Sequence, residues 1–454
     1  MPNLNIVKQQ SSPPAIQCNY QSQLAERITD HSAKVVIIGQ GYVGLPLAAE
    51  FGQAGFRVIG LDIDRDRVKK LNRGESLTPD VSNDALLKLR NSGYYEASWD
   101  FSVLRSTDVI LICVPTPLRK SKDPDISYIL ATLEQVVLYL CPGQLIILES
   151  TTYPGTTEEL LLPMFEAKGY TAGDDVFLAF SPERIDPGNK QFMVKDIPKV
   201  TGGITPACTD LAALFYRQIV DRVVKVSSPR VAELAKLYEN VFRSVNIALA
   251  NEFSLMCRQL DVDSREVIDA AASKPFGFMP FYPGPGIGGH CIPIDPAYLS
   301  WKMKFSNYQA RFIPLAEEIN QSMPGHVVDL VSDGLNESRL SINGANILAI
   351  GVAYKRGVGD TRESPAIHVI ESLIKLGANI TYSDPHVAEI SLAGDTYQSV
   401  ELTTVVLSSC DCLLILTDHQ EFDYHSMSVY APLIVDTRGT MRGINGGSAK
   451  ILSL

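Results

Sequence analysis

The chain has 454 residues, of which 45% are hydrophobic and 20% are charged, and its formal net charge is −11. This composition is typical of a globular protein with a real core and enough length for about three domains. The acidic charge argues against a surface for nucleic acid or anionic membranes, and no apolar run approaches the ~20 residues that span a bilayer.

The N-terminal segment and the alternating region after it are the first predicted elements. Residues 1–30 are rich in Gln, Ser, Asn and Pro and lack an apolar signal core, so they are predicted to form a flexible or loosely docked extension. Residues 31–227 alternate apolar runs with helix-length segments, which is typical of a parallel, doubly wound sheet. The predicted strands are Val35–Ile38, Arg57–Leu61, Val109–Val114, Leu145–Glu149, Val176–Phe180 and Val223–Val226.

A glycine-rich turn follows the first predicted strand and opens a helical pattern. It reads Gly39-Gln40-Gly41-Tyr42-Val43-Gly44. In a dinucleotide-binding turn the first glycine permits the tight turn, the second lets a pyrophosphate approach the helix N-terminus, and the third allows helix–sheet packing. Asp62, after the second strand, is placed to accept hydrogen bonds from a ribose and favours NAD over NADP, although Arg67 five residues later complicates that preference. NAD binding is predicted, with a FAD site or a purely structural turn as the alternative.

A long uninterrupted helix is predicted after this sheet. Ser228 is the predicted N-cap and Pro229 the first helical residue, and neither Pro nor Gly occurs again before about Leu260. A helix of about 30 residues exceeds what one small domain needs, so it is predicted to bridge two domains and to form a dimer interface. The positions expected to face the core are Leu234, Leu237, Val241, Val245 and Leu249.

Lys236, Asn240 and Arg243 share another face of this helix. A lysine and an amide that face a thiol would stabilise a developing oxyanion. A basic stripe on a helix is otherwise a solvated surface, and that alternative stays open here.

The central region, residues 228–324, also carries a cysteine in a glycine-dense loop. The loop reads Gly288-Gly289-His290-Cys291, and Asp295 follows four residues later. Glycine lets a backbone approach a ligand closely, so such a loop can present one thiol to a pocket, although most cysteines are small buried hydrophobic residues. Asp295 is the predicted partner, as a base for water or as a stabiliser of a charged group, because adjacent residues of an extended loop, such as His290 and Cys291, generally point apart. The alternative for Asp295 is a helix N-cap. A hydride acceptor and a presented thiol indicate oxidation through a thioester.

Residues 325–454 return to the α/β alternation. The predicted elements are the strands Ala345–Gly351, Ala378–Ser383, Cys412–Leu416 and Leu433–Asp436 and the helix Ser364–Leu376. The predicted fold class is therefore α/β, with two Rossmann-like doubly wound domains joined by a central helical domain. Eight cysteines without C-x-x-C pairing indicate a reduced, cytoplasmic protein with neither a disulfide framework nor a metal site.

Charged residues follow several strands at the edge where open α/β sheets bind ligands. Glu183 and Arg184 come after Val176–Phe180, and Glu183 could orient a water or lie in a surface turn. The segment 353–364 contains glycines and cations that suit a phosphate, and Arg438 lies at the equivalent edge.

These motifs together resemble the UDP-glucose/GDP-mannose 6-dehydrogenases along nearly all of residues 34–440. The landmarks are Gly39–Gly44, Val114–Pro117, Glu149–Thr151, Ser181–Arg184, Ala232–Lys236, Gly288–Cys291, Gly359–Ser364 and Asp436–Arg438. The resemblance implies that Cys291 is the nucleophile, and that it is assisted by Lys236, Asn240, Asp295 and Glu183. It implies a cofactor set of Gly39, Gly41, Tyr42, Val43, Gly44, Asp62, Arg67, Thr116, Thr151 and Arg362. It implies a sugar-nucleotide set of Arg184, Lys236, Asn240, Arg243, Tyr354, Lys355 and Arg438. Members of the family are usually dimers built on the long helix.

Two departures bear on the sugar. UDP-glucose members tend to read Thr-Pro-Thr where this chain has Thr116-Pro117-Leu118, and Ser-Cys where it has His290-Cys291. With Arg243, these resemble the branch that oxidises UDP-N-acetylhexosamines for surface polysaccharides. UDP-N-acetylglucosamine is the expected substrate, and UDP-glucose or UDP-N-acetylmannosamine is the alternative. A non-catalytic sugar-nucleotide-binding protein and a two-electron alcohol dehydrogenase with a structural Cys291 are the rivals from other classes.

Overall fold

The computed structural model describes residues 19–78, 80–119, 123–184, 194–289, 291–392 and 394–454. The first sheet contains β1 (Lys34–Ile38), β2 (Arg57–Leu61), β3 (Tyr95–Ser98), β4 (Val109–Ile112), β5 (Leu145–Leu148), β6 (Phe177–Phe180), β7 (Lys199–Gly203) and β8 (Val223–Lys225). The helices of this part are α1 (Tyr20–Thr29), α2 (Gly44–Gln53), α3 (Arg65–Asn72), α4 (Asn83–Asn91), α5 (Ser127–Tyr139), α6 (Leu162–Glu166) and α7 (Pro206–Tyr216).

The first sheet is doubly wound, as predicted. Its strand order is β3-β2-β1-β4-β5-β6-β7-β8, and the pairs are parallel except for β6 with β7. Val35 and Ile37 of β1 enter one hydrophobic core, whereas Val36 and Ile38 enter the core on the opposite face. The strand order reverses between β1 and β4, which creates a crevice at the C-terminal ends of these strands.

Helix α1 corrects, for residues 19–30, the prediction of a flexible or loosely docked extension over residues 1–30. Asn19 caps it by accepting a hydrogen bond from the Ser22 amide at 3.1 Å, and Leu24 and Ile28 are fully buried in the first core. Two apolar residues four positions apart fall on one helix face, so they suffice to dock an otherwise polar segment. Residues 1–18 lie outside the described part of the chain.

The central helices are α8 (Pro229–Gln259), α9 (Ser264–Ala272), α10 (Asp295–Lys304) and α11 (Phe312–Glu337). The long helix is confirmed with its cap, because the Ser228 hydroxyl accepts a hydrogen bond from the Val231 amide at 3.3 Å. Helix α11 runs without a break through Pro324 and Gly325. The predicted domain boundary after residue 324 therefore falls inside a helix rather than in a linker.

The orientation of α8 differs from the prediction. Leu237 is buried, but Leu234 is 37% exposed and Leu249 is 61% exposed. Lys236 and Asn240 are instead buried on the opposite side. The polar face of α8 therefore packs inward, against α10 and α11, and much of its apolar face points outward.

The third part is a second parallel sheet with a hairpin and three helices. Its strands are β9 (Asn346–Ile350), β10 (Asn379–Ser383), β11 (Glu389–Leu392), β12 (Asp395–Gln398), β13 (Cys412–Ile415), β14 (Leu433–Asp436) and β15 (Lys450–Ser453). Its helices are α12 (Pro365–Lys375), α13 (Thr404–Ser409) and α14 (Tyr424–Tyr430). The order β10-β9-β13-β14-β15 reverses between β9 and β13, so a second crevice lies beyond these strand ends. Among the described residues, every helix is too short or too polar to cross a bilayer.

Candidate active site

The glycine turn after β1 has the backbone geometry of a nucleotide-binding loop. Gly39 has a φ of +91°, and a Cβ there would lie 2.5 Å from the Cys113 carbonyl oxygen. A Cβ on Gly44 would overlap the carbonyl oxygen of Gly39, whereas one on Gly41 would meet nothing within 4 Å. Gly39 and Gly44 therefore serve the turn itself, and the side of Gly41 is open at the N-terminus of α2. This arrangement fits a dinucleotide pyrophosphate.

Asp62 anchors this turn to the end of β2. Its buried carboxylate accepts hydrogen bonds from the amides of Gln40 and Asp64, each at 2.9 Å. Arg67 donates to the same carboxylate at 3.1 Å. The arginine that complicated the choice between NAD and NADP is therefore paired with the residue that favours NAD.

Replacing Asp62 by serine is expected to shift cofactor preference toward NADP. Loss of the carboxylate removes the repulsion of a 2′-phosphate and releases Arg67 to bind it. We expect the ratio of the NADP to the NAD dissociation constant to fall by about tenfold or more. Titration of both nucleotides measures this ratio. The double variant Asp62→Ser/Arg67→Ala should lose the gain, and an equal gain without Arg67 would contradict the explanation.

Cys291 and Asp295 lie on the turn that leads into α10. The Cys291 carbonyl accepts hydrogen bonds from the amides of Ile294 and Asp295, at 3.1 and 2.8 Å. Asp295 is 3% exposed, and its Oδ2 accepts a hydrogen bond from Asn240 Nδ2 at 2.5 Å. Ile294 occupies the N-cap position and Asp295 is the first helical residue, so the N-cap interpretation of Asp295 is wrong. His290 lies outside the described residues.

The α8 stripe surrounds this turn with charge. Asn240 Oδ1 accepts a hydrogen bond from Arg243, so Arg243, Asn240 and Asp295 form one connected chain. Lys236 is buried one helical turn away from Asn240. The solvated-surface alternative for this stripe is wrong, since Lys236 and Asn240 face the interior.

Burial and nearby charges set the acidities of the two central groups. Burial raises the pKa of the half-buried Cys291 thiol to about 11, with Asp295 adding to the rise and Lys236, Arg243 and Arg362 opposing it. Burial also raises the pKa of Asp295 to about 6, against the effects of Lys236, Asn240 and Arg243. The structure therefore brings together a thiol, a carboxyl group whose pKa is raised to about 6, and buried cationic and amide groups.

The loop after β9 closes over this site from the third part of the chain. The Gly289 amide donates to the Arg362 carbonyl at 3.2 Å, and a Cβ on Gly289 would lie 2.8 Å from the ring of Tyr354. The Arg362 guanidinium lies 4.8 Å from the ring centre of Tyr42, in the glycine turn. Lys355 Nζ lies 5.7 Å from the ring centre of Tyr354. The cysteine loop, the glycine turn and the loop after β9 therefore meet at one place.

Arg438 approaches the same loop from the end of β14. Its Nε donates to the Leu416 carbonyl at 2.8 Å, and a Cβ on Gly284 would lie 2.9 Å from its Nη1. The Gly284 amide donates to Asn251 Oδ1 of α8 at 2.9 Å. Arg438 thus borders the glycine-dense loop at the crevice of the second sheet.

A buried histidine supports the loop after β9. His419 Nδ1 accepts a hydrogen bond from the Gly357 amide at 3.1 Å, and its Nε2 pairs with Asp384 at 3.1 Å. His386, His419 and Glu421 also lie close enough together to suggest a metal site. Both ring nitrogens of His419 are already used, so the described contacts favour a structural role.

Glu183 and Arg184 make contacts that sequence reasoning did not foresee. Arg184 forms a two-point ion pair with Glu239 of α8, with its shorter contact at 2.5 Å. Glu183 pairs with Lys199 Nζ at 3.2 Å, and Lys199 pairs in turn with Glu149 at 2.8 Å. The signal that could have revealed this cluster was a glutamate directly after the apolar strand β5.

The two threonines assigned to the cofactor follow β4 and β5. The Thr116 carbonyl accepts a hydrogen bond from the hydroxyl of Tyr298, a buried residue of α10, at 2.8 Å. Thr151 is half-buried three residues beyond the end of β5. Both lie at the edge of the first sheet where the crevice opens.

Comparison with known proteins identifies this combination of domains. Residues 33–220, 230–322 and 348–443 match the NAD binding, central and UDP binding domains of the UDP-glucose/GDP-mannose dehydrogenase family. The chain is 35% identical to a UDP-N-acetyl-D-glucosamine 6-dehydrogenase of Pseudomonas aeruginosa, over 86% of this chain and 91% of that protein. It is 34% identical to a UDP-N-acetyl-D-mannosamine dehydrogenase of Pyrococcus horikoshii, over 90% of this chain and 96% of that protein.

The solved structures give the same result. The UDP-D-ManNAc dehydrogenase structure from Pyrococcus horikoshii superposes with a TM-score of 0.81 at 31% identity, and covers 92% of this chain and 98% of that one. The chain therefore belongs to the UDP-glucose/GDP-mannose dehydrogenase family, and it is an NAD-dependent UDP-sugar dehydrogenase.

Proposed function

We propose that this enzyme oxidises the C6 hydroxyl of a UDP-N-acetylhexosamine, preferably UDP-N-acetylglucosamine, to the carboxylate through a thioester on Cys291. The observation that carries the proposal is the half-buried thiol beside Asp295, Asn240 and Lys236 in a chain with NAD and UDP binding domains. A covalent link explains why the site needs a thiol, because a free aldehyde could escape between two oxidations.

The residues divide between cofactor and sugar. The turn at Gly39–Gly44 and Asp62 would hold NAD, which when bound accepts a hydride from C6 in each of the two oxidations. Lys236 and Asn240 are proposed to stabilise the oxyanion that forms when the Cys291 sulfur adds to the aldehyde carbon. One such donor is worth about 3 kcal/mol of barrier. The proposed nucleotide-sugar contacts are Arg184, Arg243, Tyr354, Lys355 and Arg438.

Water completes the reaction. Asp295 is ionised at neutral pH, because its pKa of about 6 lies below 7, so it can accept a proton from an attacking water. Glu183 is proposed to orient that water from the edge of the first sheet. Attack places the water oxygen on C6, breaks the carbon–sulfur bond and returns the sulfur as a thiol. The uronate therefore carries one oxygen from water, and two hydrides have left C6.

A panel of UDP-sugars tests the proposal. NADH and uronate are measured with UDP-N-acetylglucosamine, UDP-N-acetylmannosamine, UDP-N-acetylgalactosamine and UDP-glucose. We expect two NADH per sugar and the highest kcat/KM for UDP-N-acetylglucosamine. A better rate with another sugar would reassign the substrate within the family. One NADH per sugar would support a two-electron alcohol dehydrogenase, and binding without NADH would support a non-catalytic protein.

The outward face of α8 supports a homodimer. Tyr238, Phe242, Leu249 and Met256 are 40–70% exposed along one helix, and a row of exposed apolar side chains is typical of a protein–protein contact surface. We propose that a second copy covers it. We also propose a division into residues 31–227 for NAD, 228–324 for the cysteine loop and 325–454 for UDP, with α11 shared across the last boundary. The described cysteines are unpaired, which favours the cytoplasm.

A further inference from the structure

We propose that Lys199 and Glu149 form a buried pair that positions the Glu183 carboxylate for the hydrolytic water. Lys199 is thereby a positioning residue of this enzyme, and its charge favours the ionised form of Glu183. The inference rests on the proposed role of Glu183 in the hydrolysis step. It adds Lys199 and Glu149, which lie beneath the site, to the residues that support hydrolysis of the thioester.

Three strand ends contribute to this cluster. Glu149 directly follows β5, Glu183 lies three residues beyond β6, and Lys199 is the first residue of β7. Since β7 runs antiparallel to β6, its first residue lies at the same sheet edge as the C-terminal ends of the parallel strands. The cluster therefore lies beneath the edge at which the cofactor crevice opens.

Burial and two ion pairs hold the Lys199 side chain in place. Lys199 is 6% exposed, and its Nζ lies 2.8 Å from Glu149 Oε2 and 3.2 Å from Glu183 Oε2. The other oxygen of Glu149 accepts a hydrogen bond from the Tyr216 hydroxyl, and the other oxygen of Glu183 accepts one from the Arg184 amide at 2.6 Å. Each described carboxylate oxygen thus has a partner, which fixes the plane of both carboxyl groups.

Electrostatics explain why two carboxyl groups share one cation. Burial alone would lower the pKa of Lys199, but Glu149 and Glu183 outweigh it and raise that pKa, so the lysine stays charged. Burial raises the pKa of Glu149 to about 7, and Glu183 adds to the rise while Lys199 opposes it. Glu149 is thus the carboxyl that takes up a proton near neutrality. The other titratable groups that face the cluster in the described chain are Cys113, Tyr216 and Arg184.

The cluster is mechanically connected to the thiol centre. Arg184, next to Glu183, forms its ion pair with Glu239 of α8. The next residue of α8 is Asn240, which donates to Asp295. The position of Glu183 is therefore fixed from the sheet side by Lys199 and from the α8 side through Arg184.

The charge of the cluster provides the test. Glu149 takes up its proton near neutrality, so below pH 7 the charge that Glu183 meets in this cluster comes from Lys199. Lys199→Met removes this charge, whereas Glu149→Gln leaves it in place. We expect the pH midpoint of Glu183 protonation to rise by about one unit or more in Lys199→Met and in the double variant, and to stay near the wild-type value in Glu149→Gln.

The midpoint is measured without turnover, by infrared pH titration of the carboxyl band in each full-length protein, with Glu183→Gln as the assignment variant. Lys225→Met is the matched control, because Lys225 of β8 pairs with Asp210 at the surface of the same domain. It should leave the midpoint unchanged. If Lys199→Met leaves the midpoint at the wild-type value, or if Glu149→Gln raises it as much as Lys199→Met does, the proposal is overturned.

A kinetic measurement adds the connection to hydrolysis. We expect Lys199→Met to shift the pH profile of thioester hydrolysis upward while the first hydride transfer at saturating substrate stays within about twofold of wild type. Lys199→Arg keeps the cation and should recover the profile. A profile that does not follow the midpoint of Glu183 would overturn the positioning role. Absence of uronate in the wild-type protein would instead refute the proposed function. The infrared midpoints of the variants would still decide whether Lys199 controls the ionisation of Glu183.

Discussion

Replacement of Cys291 by serine is expected to lower uronate formation by at least about 10³-fold. The thiol is already a weak acid in this buried site beside Asp295, with a pKa of about 11, and a hydroxyl in the same place is far weaker. The first oxidation does not require the sulfur, so it should still proceed. An ester formed by serine would also hydrolyse more slowly than a thioester, because an alkoxide leaves less readily than a thiolate.

The expected signature is about one NADH per active site followed by a stall. Rapid-quench measurement of NADH gives the burst, and intact mass spectrometry detects an ester adduct in Cys291→Ser. Cys291→Ala should give no adduct. Cys141→Ser is the matched control, since the thiol of this half-buried cysteine donates to the Tyr139 carbonyl at the end of α5, and the variant should retain wild-type activity. Full uronate turnover by Cys291→Ser would rule out the thioester.

Three of the strands that were predicted correctly share one physical property. β4, β5 and β6 are buried along their whole length, so their sequences are continuous apolar runs. β7 was missed because it begins with a buried lysine and ends with two glycines. A Cβ on Gly202 would overlap the Ser228 carbonyl, so glycine is required by the approach of α8 rather than by a turn. Local composition cannot reveal such a tertiary cause.

Helix α8 shows a second limit. Its length and its Ser228 cap follow from local signals, and both were predicted. The spacing of Lys236, Asn240 and Arg243 placed them on one face but could not determine whether that face points inward. Burial of Asn240 is stabilised by its partner Asp295, which is 55 residues away in sequence. The usual preference for apolar residues inside therefore failed at Leu234 and Leu249, where we propose that a second copy covers the surface.

The site residues also divide into those that the sequence predicted and those that it did not. Cys291, Asp295 and the α8 stripe were predicted from motifs, and the structure connects them by hydrogen bonds and charge. Lys199 was not predicted, because its partners come from two other strand ends. Arg184, assigned to the substrate, already forms an ion pair with Glu239. Whether it also binds a sugar nucleotide stays a prediction.

Replacement of Asp295 by asparagine is expected to change two properties of the site in opposite directions. Asp295 raises the pKa of Cys291, so its neutralisation should lower that pKa and speed alkylation of the thiol at pH 8. The gain is about threefold per pKa unit, because a larger thiolate fraction is partly offset by lower nucleophilicity. Thioester hydrolysis should slow by about 10²-fold or more, because the proposed base for water is lost.

The pH dependence provides the sign of each effect. Asp295 has a pKa of about 6, so wild-type hydrolysis should fall about tenfold per pH unit well below 6, as the base becomes protonated. The contribution of Asp295 to that acidic arm should disappear in Asp295→Asn, and the contribution of Glu183 should remain. Lys236→Met is the matched opposite, because removing a cation that lowers the pKa of Cys291 should slow alkylation. Iodoacetamide kinetics and single-turnover hydrolysis measure the two rates. If Asp295→Asn slowed alkylation of the thiol as well as hydrolysis, the substitution would have distorted the site. Loss of the charge alone makes the thiol more reactive and at the same time slows the attack of water.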